Sequence, residues 1–263
     1  MVPVPNLLVV ASGVPVFYNL LLVCEDITEA WIMEIREGQA RPISAKDILI
    51  GVLVLGSIWG FFEVVVGGGM KAAGIPYKGD LLTGLGIGTM AVALALYRKP
   101  LMLPGIAIVA IAVKQLAVPI LHLSFICKAN SCLAVMLGGC ALAGTAALAG
   151  RRLHSSLGAR ATAGLSAGLL AGTGFYFMGM RAAPCPYLLS FNRPGGFIAF
   201  MFAEGLIWAA LGAVFSPLGY WIGERLLQGA ARLRDKRPTV YYSASLALAA
   251  CCWIASAFAI ASF

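Results

Sequence analysis

A chain of 263 residues that is 60% hydrophobic and 11% charged, with a mean hydropathy of +0.90, holds more apolar side chain than a water-soluble fold can bury. Soluble domains carry about 25% charged residues, so the composition excludes one and points to a polytopic membrane protein. The net charge of +8 sits mainly in short loops between apolar runs, a pattern of membrane topology and not of a nucleic-acid surface.

Residues 1–24 contain an apolar run with no Lys or Arg ahead of it, so a cleaved secretory signal is not expected. Pro5, Pro15 and Asn19 make the run a poor spanning helix. An acid-rich lead-in follows, and together they form a first region, 1–46. Seven apolar runs then cover about 48–66, 81–97, 101–121, 133–150, 161–180, 197–222 and 240–262. Lipid offers no hydrogen bonds to the backbone, so long runs without alternation read as helices. The expected fold is all-α: a polytopic transmembrane helical bundle. Its core is six helices over 47–225, and 226–263 adds a basic loop and a C-terminal seventh span.

Thirteen of the 19 basic residues fall on one side of this scheme: the lead-in residues Arg36, Arg41 and Lys46, the turn at Arg98 and Lys99, and the loops around Arg151 and Arg234. The positive-inside bias places that side, and the lead-in, in the cytoplasm of a cell (plasma) membrane protein, with the C-terminus outside. The outer loops read "GGGMKAAGIPYKGD", "HLSFICKANSC" and "RAAPCPYLLSFNRPGG". Their Gly, Pro, Asn and aromatic residues build fixed non-helical backbone. Elaborate loops on one face mark that face as functional. In the first of them, Gly67–Gly69 is expected to end the preceding helix through positive φ.

Three charged side chains fall inside spans: Glu63, Lys114 and Glu204. At ~1.5 Å per residue all three lie within about 5–10 Å of the outer boundary. Ionisable groups at such depth face the bundle interior, pair, and mark a pathway or site. Glu63 is expected near Lys114 or Glu204. His122, Asn130, Tyr77, Tyr187 and Asn192 are placed at the rim of the same face as orienting hydrogen-bond groups. Two acids against one lysine favour a cationic or zwitterionic solute. A bland alternative is snorkelling of Glu63 and Lys114 to the interface.

Cys127 and Cys132 are close enough in sequence for a disulfide, and with His122 and Cys185 they form a weak alternative metal set. No strong metal motif supports it, and no cofactor is expected. Gly56 with Gly60, and Gly164, Gly168 and Gly172, form small-residue stripes. These serve either packing within the chain or docking of another membrane subunit.

"GSIWGFFE" at 56–63 and "AEGLIWAALG" at 203–212, on a six-helix core, resemble segments of the substrate-binding S components of energy-coupling-factor (ECF) transporters. The resemblance spans about residues 47–225. It implies a solute pocket in the outer halves of the helices, and a small-residue motif on the first core helix that contacts a transmembrane coupling subunit allied with ATPase subunits. The leading expectation is a substrate-capture subunit of a small-solute transporter that is not itself an enzyme. Its partners are membrane lipid, a small-molecule solute and those subunits, with no nucleic acid. The alternatives are a membrane enzyme acting on a lipid or isoprenoid, or an assembly or scaffold subunit of a membrane complex.

Overall fold

Helices account for all the regular structure of the computed structural model, which describes residues 43–76, 78–122 and 128–262. The expectations for residues 1–24, for the lead-in before residue 43, and for Tyr77 and Cys127 lie outside those residues.

The described residues hold seven long helices. They are α1 (Ala45–Ala72), α2 (Lys78–Tyr97), α3 (Pro100–Leu121), α4 (Ala129–Ala149), α5 (Leu157–Ala182), α6 (Gly196–Lys236) and α7 (Pro238–Ser262). Each overlaps one predicted run. All except α5 are long and apolar enough to cross a membrane. Helix α5 has the length, 26 residues or about 39 Å. Its six glycines, with Thr162 and Thr173, dilute its apolar content.

Contacts at glycine give the directions of the helices. Gly164 of α5 meets Gly212 of α6, Gly168 meets Trp208, and Gly172 meets Gly205. One number rises as the other falls, so α5 and α6 are antiparallel. Gly67, Gly86 and Gly51 meet Leu82, Trp59 and Tyr97 in the same inverse order, so α1 and α2 are antiparallel too. Gly88 and Val92 of α2 meet Gly219 and Gly223 of α6, rising together, so that pair is parallel. Gly56 and Gly60 of α1 meet Val109 and Val113 of α3, again in parallel. Helix α7 runs with α1, because Tyr242 bonds Asp47 and Trp253 bonds Ser57. Odd-numbered and even-numbered helices therefore run oppositely, as an up-and-down bundle requires. The bundle has one end rich in arginine, and α1, α3 and α5 end at the other, at Ala72, Leu121 and Ala182.

Apolar side chains such as Leu148, Leu170, Val214, Ile254 and Phe258 face outward, while glycine and alanine fill the contacts between helices. That inversion of a soluble core suits a lipid solvent, where close backbone approach drives association. Both glycine stripes are used inside the chain. Gly56 and Gly60 lie on the Val109 and Val113 side chains of α3, and Gly164–Gly172 lies on the α6 backbone.

At the arginine-rich end, Ser44 and Asp47 form a capping box that starts α1. Asp47, 4% exposed, also accepts from Tyr242 at 2.8 Å and lies 3.8 Å from Arg234, tying α1 to α7 and α6. Arg160 stacks over Tyr220, pairs with Glu224 at 2.7 Å and caps carbonyls of Leu153 and His154, locking the α4–α5 connection to α6.

One local expectation is corrected. Gly67–Gly69 does not end the first helix. The three glycines stay right-handed and α1 continues to Ala72. Gly67 packs on Leu82, which holds it in register with α2, and the left-handed residue is Gly74, at φ +66°.

The glycine contacts predict a pattern of tolerance. A Cβ at Gly164 would lie 2.0 Å from the Gly212 carbonyl oxygen, and one at Gly212 would lie 2.3 Å from the Gly164 oxygen. Gly164→Ala and Gly212→Ala should each destabilise the protein by about 1–3 kcal/mol, as overpacking does. Gly144, with nothing within 4 Å, should accept alanine and melt no lower than the parent. Thermal melting in detergent reads all three, and an unchanged Gly164→Ala would refute the α5–α6 contact.

Candidate functional site

Two of the spanning helices are interrupted near the same end by a π-helical turn: Phe62–Val66 in α1 and Met201–Gly205 in α6. Each turn carries one acid, Glu63 in the first and Glu204 in the second. A π turn inserts a residue and rotates the remainder of the helix by roughly 100°, and such turns concentrate at functional sites. Each acid also lies four residues from a tryptophan, Trp59 before Glu63 and Trp208 after Glu204. Residues four apart share a helix face. Because α1 and α6 run oppositely, the inverted order puts both glutamates toward the loop end and both tryptophans one turn deeper.

The four side chains line one cavity of about 350 Å³. Its other walls include Asp80 and Ile87 of α2, Lys114 of α3, Asn130 and Ser131 of α4, Phe175 of α5 and Tyr187. Glu63 and Lys114 form an ion pair at 2.5 Å, with side-chain exposures of 7% and 14%. Buried charges are tolerated in this way, by pairing.

A second acidic centre lies across the cavity. Asp80, 2% exposed, accepts a hydrogen bond from the Trp208 indole N–H at 2.6 Å. The Glu204 carboxyl lies beside it and accepts a hydrogen bond from the Tyr187 hydroxyl. Tyr187 sits in the short helix Pro186–Leu189 between α5 and α6. Burial and the neighbouring Glu204 carboxylate push its hydroxyl well above the ordinary tyrosine range, so it stays a donor. Lys78 is exposed at the cavity mouth.

Three further polar atoms of the lining are buried without a hydrogen-bond partner: Trp59 Nε1, Asn130 Oδ1 and Ser131 Oγ. The Trp59 ring is held against α2, where a Cβ at Gly86 would lie 2.4 Å from it. Asn130 uses its other end, donating from Nδ2 to the Cys185 sulfur at 3.1 Å.

Of the residues singled out in the sequence, Glu63, Lys114, Glu204, Asn130 and Tyr187 converge on this cavity. His122 and Asn192 do not line it. His122 is the exposed left-handed cap of α3, and Asn192 is exposed in the α5–α6 connection. Cys132 is a free, buried thiol that accepts a hydrogen bond from Gln115, and Cys185 is a free thiol that caps the Pro186–Leu189 helix. Among the described residues no group of three or more His, Cys, Asp or Glu side chains is placed to hold a metal ion.

Sequence reasoning missed Asp80, Trp59 and Trp208. Asp80 belongs to the first turn of α2, although the apolar run begins one residue later. The tryptophans lie within the similar segments "GSIWG" and "GLIWA", and the four-residue spacing to a glutamate in mirrored order was the signal that marks them. Comparison with protein-family models, with curated proteins and with solved structures finds no match for the chain.

The ion pair makes a double-mutant prediction. Glu63→Gln leaves Lys114 buried without its partner and should cost about 3 kcal/mol, as does breaking a buried pair from one side. Lys114→Met should cost a similar amount. The double variant should be more stable than the sum of the two losses implies. Additive losses in detergent melts would mean that the two side chains do not interact.

Proposed function

We propose that this integral membrane helical bundle is a solute-capture subunit of a small-solute transporter, similar in plan to the S components of energy-coupling-factor transporters. The observation that carries the reading is the cavity. It lies toward one end of the bundle, its volume is at the small end of the ~300–1,000 Å³ usual for small-molecule sites, and its wall combines apolar rings with a few convergent polar groups. Buried polar atoms without partners are costly, so the free atoms of Trp59, Asn130 and Ser131 favour a site that is completed by a ligand.

In this reading solute enters from the loop end, past Lys78, and rests between the two acidic centres. Energy for release comes from partner chains, a transmembrane coupling subunit with ATPases, or from an ion gradient. The Gly56–Gly60 stripe, which the resemblance assigns to the coupling subunit, is filled here by α3 side chains. A coupling subunit would therefore engage another face. The bias of basic residues puts the arginine-rich end in the cytoplasm and the cavity mouth outside a plasma membrane.

Two measurements test this. Reporter fusions at Ala45, Arg152 and Arg234 should read cytoplasmic, and one at Phe263 should read external; the reverse pattern would turn the cavity mouth inward. For binding, the purified protein is screened by thermal shift against vitamins, amines, amino acids and inorganic ions. At least one solute should raise the melting temperature, and its effect should shrink in Glu63→Gln. A folded protein that no solute in the panel stabilises would refute capture at this cavity.

A further inference from the structure

The two acidic centres of the cavity are not equivalent, and the difference points to the chemistry of the solute. At Glu63 the charge is already met by Lys114 at 2.5 Å. At Asp80 and Glu204, two carboxyls lie side by side within hydrogen-bonding reach of each other, and the groups that donate to them are neutral: the Trp208 indole and a backbone N–H at Asp80, and the Tyr187 hydroxyl at Glu204. No Lys or Arg among the described residues is within ion-pair distance of either carboxyl. Lys78, two residues from Asp80, is exposed at the mouth.

Neighbouring carboxylates repel when both are ionised, and a cation between them relieves the repulsion. An independent feature also calls for a ligand. Trp59 lines the same cavity at 2% exposure, and its indole N–H has no partner. An N–H needs an acceptor, which a bare inorganic cation does not carry.

We infer that the solute is an organic cation, with a cationic nitrogen group that seats against Asp80 and Glu204 and a neutral acceptor atom that takes the Trp59 N–H. An anion finds no free buried cation, because Glu63 already occupies Lys114, and it would meet the two carboxyls of Asp80 and Glu204 as like charge. Among the described residues no third His, Cys, Asp or Glu joins Asp80 and Glu204 in a set placed to hold a metal ion. The inference rests on the capture reading and narrows it to a solute class.

The test uses three probes of one shape and three charges: pyridine-3-carboxamidine, pyridine-3-carboxamide and pyridine-3-carboxylate. Each keeps a ring nitrogen as acceptor for Trp59. Binding to the purified full chain in detergent is measured by calorimetry and thermal shift at fixed sodium. The amidine should bind at least tenfold more tightly than the amide, and the carboxylate should not bind. Glu204→Gln and Asp80→Asn should each weaken the amidine at least tenfold and bring it level with the amide, while Trp59→Phe should weaken both. If Asp80→Asn does not fold, Glu204→Gln decides. The inference is overturned by no amidine binding, by tighter binding of the carboxylate, by an amidine affinity unchanged in the folded Glu204→Gln variant, or by stabilisation from sodium alone. In each of those cases the capture reading still stands if another solute from the wider panel binds at the cavity, and it falls only if none does.

Discussion

Taking a carboxylate and an ammonium out of water costs several kcal/mol for each ion, and hydrocarbon around a lipid-embedded bundle offers no hydrogen bonds to lower that cost. The Glu63–Lys114 pair is the solution this chain adopts, and much of the cavity depends on it. The pair joins α1 to α3 at the depth where α1 passes through its π turn. It also removes the one buried lysine of the lining from service to a ligand. The polarity of the remaining wall is then decided by Asp80 and Glu204, which have no counter-ion of their own among the described residues.

Around this pair the bundle is built from glycine contacts. Backbones meet at Gly164 and Gly212 and at Gly88 and Gly219, so tightly that a methyl group at Gly164, Gly212 or Gly219 does not fit. Such contacts give little area per residue but leave little freedom, and they place the helices that carry the acids at fixed separations. The π turns occupy the segments that are packed more loosely. Phe62–Val66 holds no fully buried residue, and in Met201–Gly205 only Gly205 is buried. Tight glycine packing toward the arginine-rich end and looser π turns toward the loop end therefore divide the bundle into a closely packed frame and a looser region around the cavity.

Much of this was legible in the sequence because lipid imposes simple rules. Apolar runs of spanning length have to be helices, and charges inside them tend to converge, as Glu63, Lys114 and Glu204 do in the wall of one cavity. Other features obeyed no such rule. Asp80 stood one residue outside an apolar run, and nothing in hydropathy says that a helix starts before its apolar stretch. The π turns left no mark, since an inserted residue changes hydrogen bonding and not composition. Gly67–Gly69 looked like a helix stop because glycine permits positive φ. Permission is not a requirement, and packing of Gly67 on Leu82 kept the glycines helical. Position next to or within a connection suggests the rim for His122 and Asn192, but both are exposed and neither lines the cavity.

The mirrored spacing of Trp59 with Glu63 and of Glu204 with Trp208 ties sequence to mechanism most directly. On parallel helices the same order of residues would give matching depths. On antiparallel helices the order must invert, and it does. The result is a layer of carboxylates above a layer of indoles, with α2 supplying Asp80 to the upper layer. The indoles then differ in use. Trp208 spends its N–H on Asp80 and so holds that carboxylate in place, whereas Trp59, packed on Gly86, keeps its N–H free. Two halves that match in composition thus become unequal in bonding, one closed by Lys114 and one left open. Among the described residues only one of the two acidic poles therefore still lacks a cation, and the proposed seating of a solute rests on that asymmetry.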